Sequence, residues 1–113
     1  MMRTMLRAKL HRLTVTETNI NYEGSITLDA KLIKSADILP GEKVHILNVN
    51  NGIRFETYVI EGSAGVVCLN GAAARLAVPG DKIIVIAYAI VNEDEIKKLK
   101  PKIILVDERN RMK

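Results

Sequence analysis

Hydrophobic and polar residues alternate along much of this 113-residue chain, and the alternation breaks at a few well-marked places. Over residues 5–16 the pattern is that of a strand, with Leu6, Ala8 and Leu10 on one parity and Leu13 and Val15 on the other. A parity switch inside one strand predicts an inserted residue, a bulge near His11 and Arg12. Asn19-Ile20-Asn21-Tyr22-Glu23-Gly24 reads as a loop, after which Ser25, Thr27 and Asp29 alternate with Ile26 and Leu28. Gly24-Ser25 therefore sits where a loop meets a strand. Helical spacing takes over from Asp29 or Ala30, with Leu32, Ile33 and Ala36 on one face, before Pro40-Gly41 turns the chain.

The rest reads as strands joined by short connections. Residues 44–49 and 53–60 flank Asn50-Asn51-Gly52, a hairpin signal because Asn and Gly tolerate the left-handed backbone that tight turns require. Residues 66–69 form another strand, Asn70-Gly71-Ala72-Ala73-Ala74 a small-residue turn, and Val78-Pro79-Gly80-Asp81 leads into a long strand over 82–91. Asn92 with Glu95 three residues on predicts a capping box for a short helix ending near Lys100, before Pro101. A last strand at 102–106 precedes a polar tail over 107–113. Six or seven strands with two short helices and no strong repeat make a mainly β chain, read as one closed or nearly closed barrel domain over 1–113.

Composition narrows the function classes. With 48% hydrophobic and 27% charged residues the chain has enough apolar surface to fold. Its net charge of +4 gathers at Arg3, Arg7, Lys9 and Arg12 and again at Lys97, Lys98, Lys100 and Lys102, which suits an anionic partner. Nucleic acid is the weaker version of that reading, because Tyr22, Phe55, Tyr58 and Tyr88 are the only aromatics and do not cluster. Cys68 is the sole cysteine, in an apolar run, so it reads as a buried structural thiol, and no disulfide is available. No metal site is expected, since neither His11 nor His45 has acidic neighbours at ligand spacing. No apolar stretch is long enough to span a bilayer and the N-terminus lacks a signal-like core, so a soluble cytoplasmic protein is expected.

Few residues declare chemistry by themselves. Arg54, Glu56 and Tyr58 share one face of a strand and Ile53, Phe55, Thr57 and Val59 the other. The polar face is either a solvated outer surface or the lining of a site. Residues four apart on a straight strand are about 13 Å distant, too far for Arg54 and Tyr58 to hold one small molecule side by side. The Asn70 to Ala74 segment exposes backbone N–H groups to a ligand or is simply a tight turn. Gly24-Ser25 alone is a common loop dipeptide.

Context changes its weight. Arg3-Thr4-Met5-Leu6, Lys9-Leu10-His11-Arg12, Tyr22-Glu23-Gly24-Ser25, Asn48-Val49-Asn50-Asn51-Gly52, Arg54-Phe55-Glu56-Thr57-Tyr58 and Asn70-Gly71-Ala72-Ala73-Ala74 resemble, in order, the bacterial aspartate 1-decarboxylases. Asn92-Glu93-Asp94-Glu95 and Lys100-Pro101 extend the likeness. The resemblance implies a double-psi β-barrel, a homotetramer with active sites between subunits, and conversion of L-aspartate to β-alanine for pantothenate and coenzyme A. It also implies self-cleavage between Gly24 and Ser25 into 1–24 and 25–113, leaving a pyruvoyl group at residue 25 that binds the substrate amine as a Schiff base. On the same likeness Tyr58 returns the proton, while Arg54 with Lys9 holds a substrate carboxylate. Thr57 and Asn70 polarise the Gly24 carbonyl or orient substrate, the Gly71-Ala72-Ala73 backbone lines the pocket, and His11 and Tyr22 neighbour the cut. Glycine at 24 suits a strained conformation that exposes its carbonyl. Two other readings compete: a non-catalytic basic barrel that binds nucleic acid or a protein, and a relative that decarboxylates another small amino acid.

Overall fold

The computed structural model describes residues 1–113. Eight strands form: β1 (Arg3–Thr14), β2 (Glu17–Asn19), β3 (Ser25–Asp29), β4 (Lys43–Asn48), β5 (Arg54–Gly62), β6 (Val67–Asn70), β7 (Lys82–Val91) and β8 (Lys102–Leu105). Two short helices, α1 (Ala30–Ser35) and α2 (Glu93–Lys98), and one 3-10 turn, Gly71–Arg75, connect them. The fold is mainly β, as the alternation predicted, but with eight strands rather than six or seven. The extra one is β2, which is too short to display a period and exists because Glu17, Thr18 and Asn19 pair in parallel with Cys68, Leu69 and Asn70.

The sheet runs in the order β2-β6-β3-β5-β4-β7-β1-β8. β1 carries the predicted bulge: its register on β7 shifts between Leu10 and Leu13, where Arg12 takes φ +61°. A second shift, between Leu6 and Ala8, left no mark in the alternation because both residues keep the same parity. The β4–β5 hairpin forms across Asn50-Asn51-Gly52, closed by Gly52 N–H donating to Asn48 O at 2.8 Å. Asn92 and Glu95 make both halves of the capping box of α2.

One apolar core of 21 residues lies beneath the sheet and α1. Leu10 and Leu13 of β1, Ile26 and Leu28 of β3, Val44 and Ile46 of β4, Val59 of β5 and Ile83 and Val85 of β7 are almost completely buried. Each such side chain contributes on the order of 1.5–3 kcal/mol relative to exposure. Leu32, Ile33 and Ala36 close the core from α1, whose N-cap Asp29 accepts from Lys31 N and, at 2.9 Å, from Gly65 N.

No ladder joins the edge strands β2 and β8, but the chain between and beyond them ties distant strands together. Thr16, just after β1, donates its N–H to Val67 O at 2.8 Å and accepts from Val67 N through its hydroxyl. The polar tail expected over 107–113 instead folds back, with Val106 bridging Met112. Its Asn110, only 1% exposed, donates to Thr14 O and Gly65 O and accepts from Thr14 N. A local polar composition did not reveal this because the partners lie 45 and 96 residues away. No helix is long and apolar enough to cross a membrane.

Candidate active site

Ser25 opens β3 and pairs across the sheet with Asn70, the last residue of β6; Ile26 pairs with Leu69 and Thr27 with Cys68. Strand alternation sends Ile26, Leu28, Leu69 and Val67 into the core and Ser25, Thr27, Cys68 and Asn70 to the opposite face. There the four polar side chains join one network. Asn70 Nδ2 donates to Ser25 Oγ at 3.0 Å and to Thr27 Oγ1 at 2.9 Å. Ser25 Oγ donates to Glu23 O at 2.9 Å, and Cys68 Sγ donates to Asn70 Oδ1 at 3.2 Å. Ser25 is completely buried and Asn70 only 3% exposed, so the Asn70–Ser25 and Cys68–Asn70 bonds act without competition from water. Burial, helped by the negative charge of Glu17, pushes the Cys68 thiol above its ordinary value and keeps its proton in place.

The backbone beside this network is set by glycine, though not where the sequence placed the demand. A Cβ on Gly24 would meet nothing within 4 Å, and Gly24 is not in the left-handed region. The expectation that strain explains Gly24 is therefore corrected. The constraint falls on Gly71, which has φ +64° and whose Cβ would lie 2.7 Å from Gly24 Cα and 2.8 Å from Gly24 N. Gly71 must lack a side chain so that the Gly24 backbone can rest on it.

Tyr58 stands next to this network on the neighbouring strand without bonding to it. The parallel β3–β5 ladder begins with Ile26 opposite Val59, and Ser25 and Tyr58 immediately precede that pair. Tyr58 is 37% exposed and lies on the same strand face as Arg54 and Glu56, which are also exposed. Glu56 is engaged by Lys43 Nζ at 2.6 Å, an ion pair that holds its carboxyl below the usual range. Arg54 forms no ion pair within the chain. Thr57 faces the other way, half-buried opposite Val44. Ala72 is exposed and Ala73 buried in the 3-10 turn.

Lys9 is not brought to Ser25 within one chain. It pairs with Ile86 of β7, which pairs with His45 of β4, which pairs with Glu56 of β5. Three strand spacings put Lys9 about 14 Å along the sheet from β5. His11 also lies on β1, opposite Leu105 of β8, while Tyr22 is exposed in the loop before Gly24-Ser25. His11 Nδ1 is buried without a partner. Burial first, then the charges of Lys9 and Arg12, lower its pKa from the usual 6.5. A cavity of about 600 Å³ is lined by Asp29, Lys31, Gly65, Arg109, Asn110 and Arg111 among others, and by none of Ser25, Asn70 or Tyr58.

Thr27 and Cys68 were not among the residues the sequence singled out for this site. Their signal was parity: Ser25 with Thr27, and Cys68 with Asn70, stand two apart on paired strands and so share a face.

The whole chain, residues 1–113, matches the family model described as aspartate decarboxylase. It is 58% identical over 111 residues to the aspartate 1-decarboxylase of Pelotomaculum thermopropionicum, covering 96% of this chain and 84% of that protein. The aspartate 1-decarboxylase of Thermoanaerobacter pseudethanolicus is 57% identical over 113 residues, covering 98% of this chain and 97% of the relative. That of a Bacillus cereus strain is 59% identical over 114 aligned positions, covering 99% and 90%. Likeness of this extent, end to end, shows the family: the chain belongs to the aspartate decarboxylase family.

Proposed function

We propose that this protein decarboxylates L-aspartate to β-alanine and CO2, using a pyruvoyl group that it makes from its own Ser25. The observation that carries this reading is the completely buried Ser25 hydroxyl, fixed between Asn70 Nδ2 and Glu23 O directly after Gly24. Serine supplies both the nucleophile and the carbon skeleton that such a group needs, and Asn70 and Tyr58 are the neighbours that would hold it. When formed, the group supplies the electron sink that loss of a carboxylate requires.

In maturation, Ser25 Oγ attacks the Gly24 carbonyl carbon. The new C–O bond replaces the Gly24–Ser25 C–N bond, and the hydroxyl proton passes to the freed nitrogen. Elimination then breaks the Ser25 Cβ–Oγ bond as the Cα proton leaves, which releases the Gly24 carboxylate. A proton returns to Cβ, and one water adds at Cα and expels the nitrogen as ammonia, giving segments 1–24 and 25–113. Asn70 Nδ2 steadies Oγ for the attack. With both its protons given to Ser25 and Thr27, and Thr57 on the opposite face of β5, either side chain would have to turn from the position it holds to polarise the Gly24 carbonyl or orient substrate. Gly71 keeps the space in which the Gly24 backbone lies, and the backbone of Gly71, Ala72 and Ala73 lines the pocket.

In turnover, Arg54 binds a substrate carboxylate with its planar guanidinium, assisted by Lys9. Tyr58 O–H returns a proton to the carbon that loses CO2. The family likeness implies a homotetramer, and the separations along β5 and across to β1 fit a site whose residues come from neighbouring subunits. The product would serve pantothenate and coenzyme A synthesis in the cytoplasm.

The test is to incubate the purified protein with L-aspartate and measure β-alanine, alongside Ser25→Ala. Turnover in the parent and none in S25A, which also stays uncut, supports the reading. Equal turnover in both contradicts it. Salt-sensitive affinity for DNA or RNA, unchanged by S25A and without turnover, would favour the non-catalytic basic barrel instead. Preferential turnover of glutamate would favour a relative with another substrate.

A further inference from the structure

We propose that Cys68 is a positioning residue for the Gly24–Ser25 cut: its thiol proton holds the Asn70 amide in the orientation that donates to Ser25 Oγ. The inference rests on the self-cleavage reading above and adds a component to it.

An asparagine amide fits a given space in two orientations, related by a half-turn, that exchange an acceptor for a donor. In the orientation present, Asn70 Nδ2 serves Ser25 Oγ and Thr27 Oγ1, and Asn70 Oδ1 faces Cys68 Sγ at 3.2 Å. The half-turned amide would set its oxygen against Ser25 Oγ. The Ser25 proton is already committed to Glu23 O, so two acceptors would then meet in a buried site. Thr27 does not discriminate, because a hydroxyl both donates and accepts. The thiol does, since S–H is primarily a donor and its only other acceptor within reach, Leu69 O, is at 3.9 Å. Cys68 is 6% exposed, and its burial keeps the sulfur protonated. A thiolate at this point would select the wrong orientation.

The consequence for the reaction is direct. Oγ must lie against the carbonyl of its own preceding residue for the C–O bond to form as the C–N bond breaks. The Asn70 and Glu23 contacts fix the hydroxyl from two sides. Weakening the first frees the side chain to leave that arrangement, so Cys68 acts on the cut through Asn70 without touching the reacting carbonyl.

Cys68→Val adds about one methyl group, keeps the strand preference and removes the donor; Cys68→Ser keeps a donor. Each would be purified promptly, checked for folding by circular dichroism and denaturant midpoint, and followed for appearance of the 1–24 and 25–113 masses. The C68V rate should fall about fivefold, as loss of one weak hydrogen bond implies, while C68S stays within about twofold of the parent. The Asn70 side-chain amide signals in nuclear magnetic resonance spectra should move or broaden in C68V and return in C68S, which a mere packing role would not produce. Should C68V fail to fold, Cys68→Ala takes its place, with the same comparison against C68S. A parent that cuts, with folded C68V or C68A cutting as fast and leaving the Asn70 amide unchanged, overturns the inference alone. A parent that never cuts overturns the self-cleavage reading, and this inference with it.

Discussion

Gly71 and Gly24 touch through their backbones: a Cβ added to Gly71 would stand 2.7 Å from Gly24 Cα, while one added to Gly24 would stand in open space. The two glycines beside Ser25 therefore have opposite tolerances. Gly71→Ala combines a left-handed φ with a backbone clash, so it should destabilise the fold by about 1–3 kcal/mol and slow chain cutting at least tenfold. Gly24→Ala should leave the denaturant midpoint nearly unchanged, whatever it does to the cut. Denaturation at fixed protein concentration, with mass analysis of the same samples, checks both.

Arg54 and Tyr58 are exposed on β5 and take no part in the Ser25 network, so their substitution should separate maturation from turnover. Arg54→Ala is expected to cut at the parent rate and to lose aspartate affinity, raising KM by about 10–100-fold through loss of a charge-assisted pair. Tyr58→Phe should also cut normally but lose about 100-fold or more in kcat, the usual effect of removing a proton donor. Steady-state kinetics on fully cut protein measures both.

Acid sensitivity should centre on His11. Its folded pKa lies below the ordinary 6.5, chiefly through burial and then through Lys9 and Arg12. As pH falls through about 6.5 the unfolded chain takes up a proton that the folded chain resists. The stability contributed by neutral His11 is thus complete above that pH and is lost on the way down. Denaturant midpoints between about pH 7.5 and 5.5, above the ordinary carboxylate range, should fall in the parent and fall less in His11→Gln.

Asn110, itself buried, joins Thr14 and Gly65 through three partly buried hydrogen bonds near the end of the chain. Asn110→Ala leaves Thr14 and Gly65 backbone groups unpaired and puts alanine at φ +62°. The expected loss is about 2–4 kcal/mol. Urea unfolding would register it, and a change under about 0.5 kcal/mol would mean the clasp does not hold the chain end.

Local pattern made much of this fold legible. The parity switch in β1, the Asn50-Asn51-Gly52 hairpin and the Asn92/Glu95 cap are short-range features whose causes lie within a few residues. β2 and the Asn110 clasp were not legible, because each depends on partners brought close only by the finished sheet. The site divides the same way. Ser25 and Asn70 were named through family likeness, yet their direct contact depends on pairing across 45 residues. Reading Gly24 as the strained glycine failed because the need for a bare backbone belonged to its neighbour in space, Gly71. Cys68 reads correctly as a buried thiol, but its bond to Asn70 becomes visible only once strand alternation places both on one face.

The central claim is that this chain converts its own Ser25, and the intact mass of the purified protein tests it most directly. The account predicts two masses, for residues 1–24 and 25–113, the larger lighter by one ammonia than a serine-started peptide and refractory to N-terminal sequencing. A single uncut mass after prolonged incubation, with no β-alanine formed from aspartate, would contradict it.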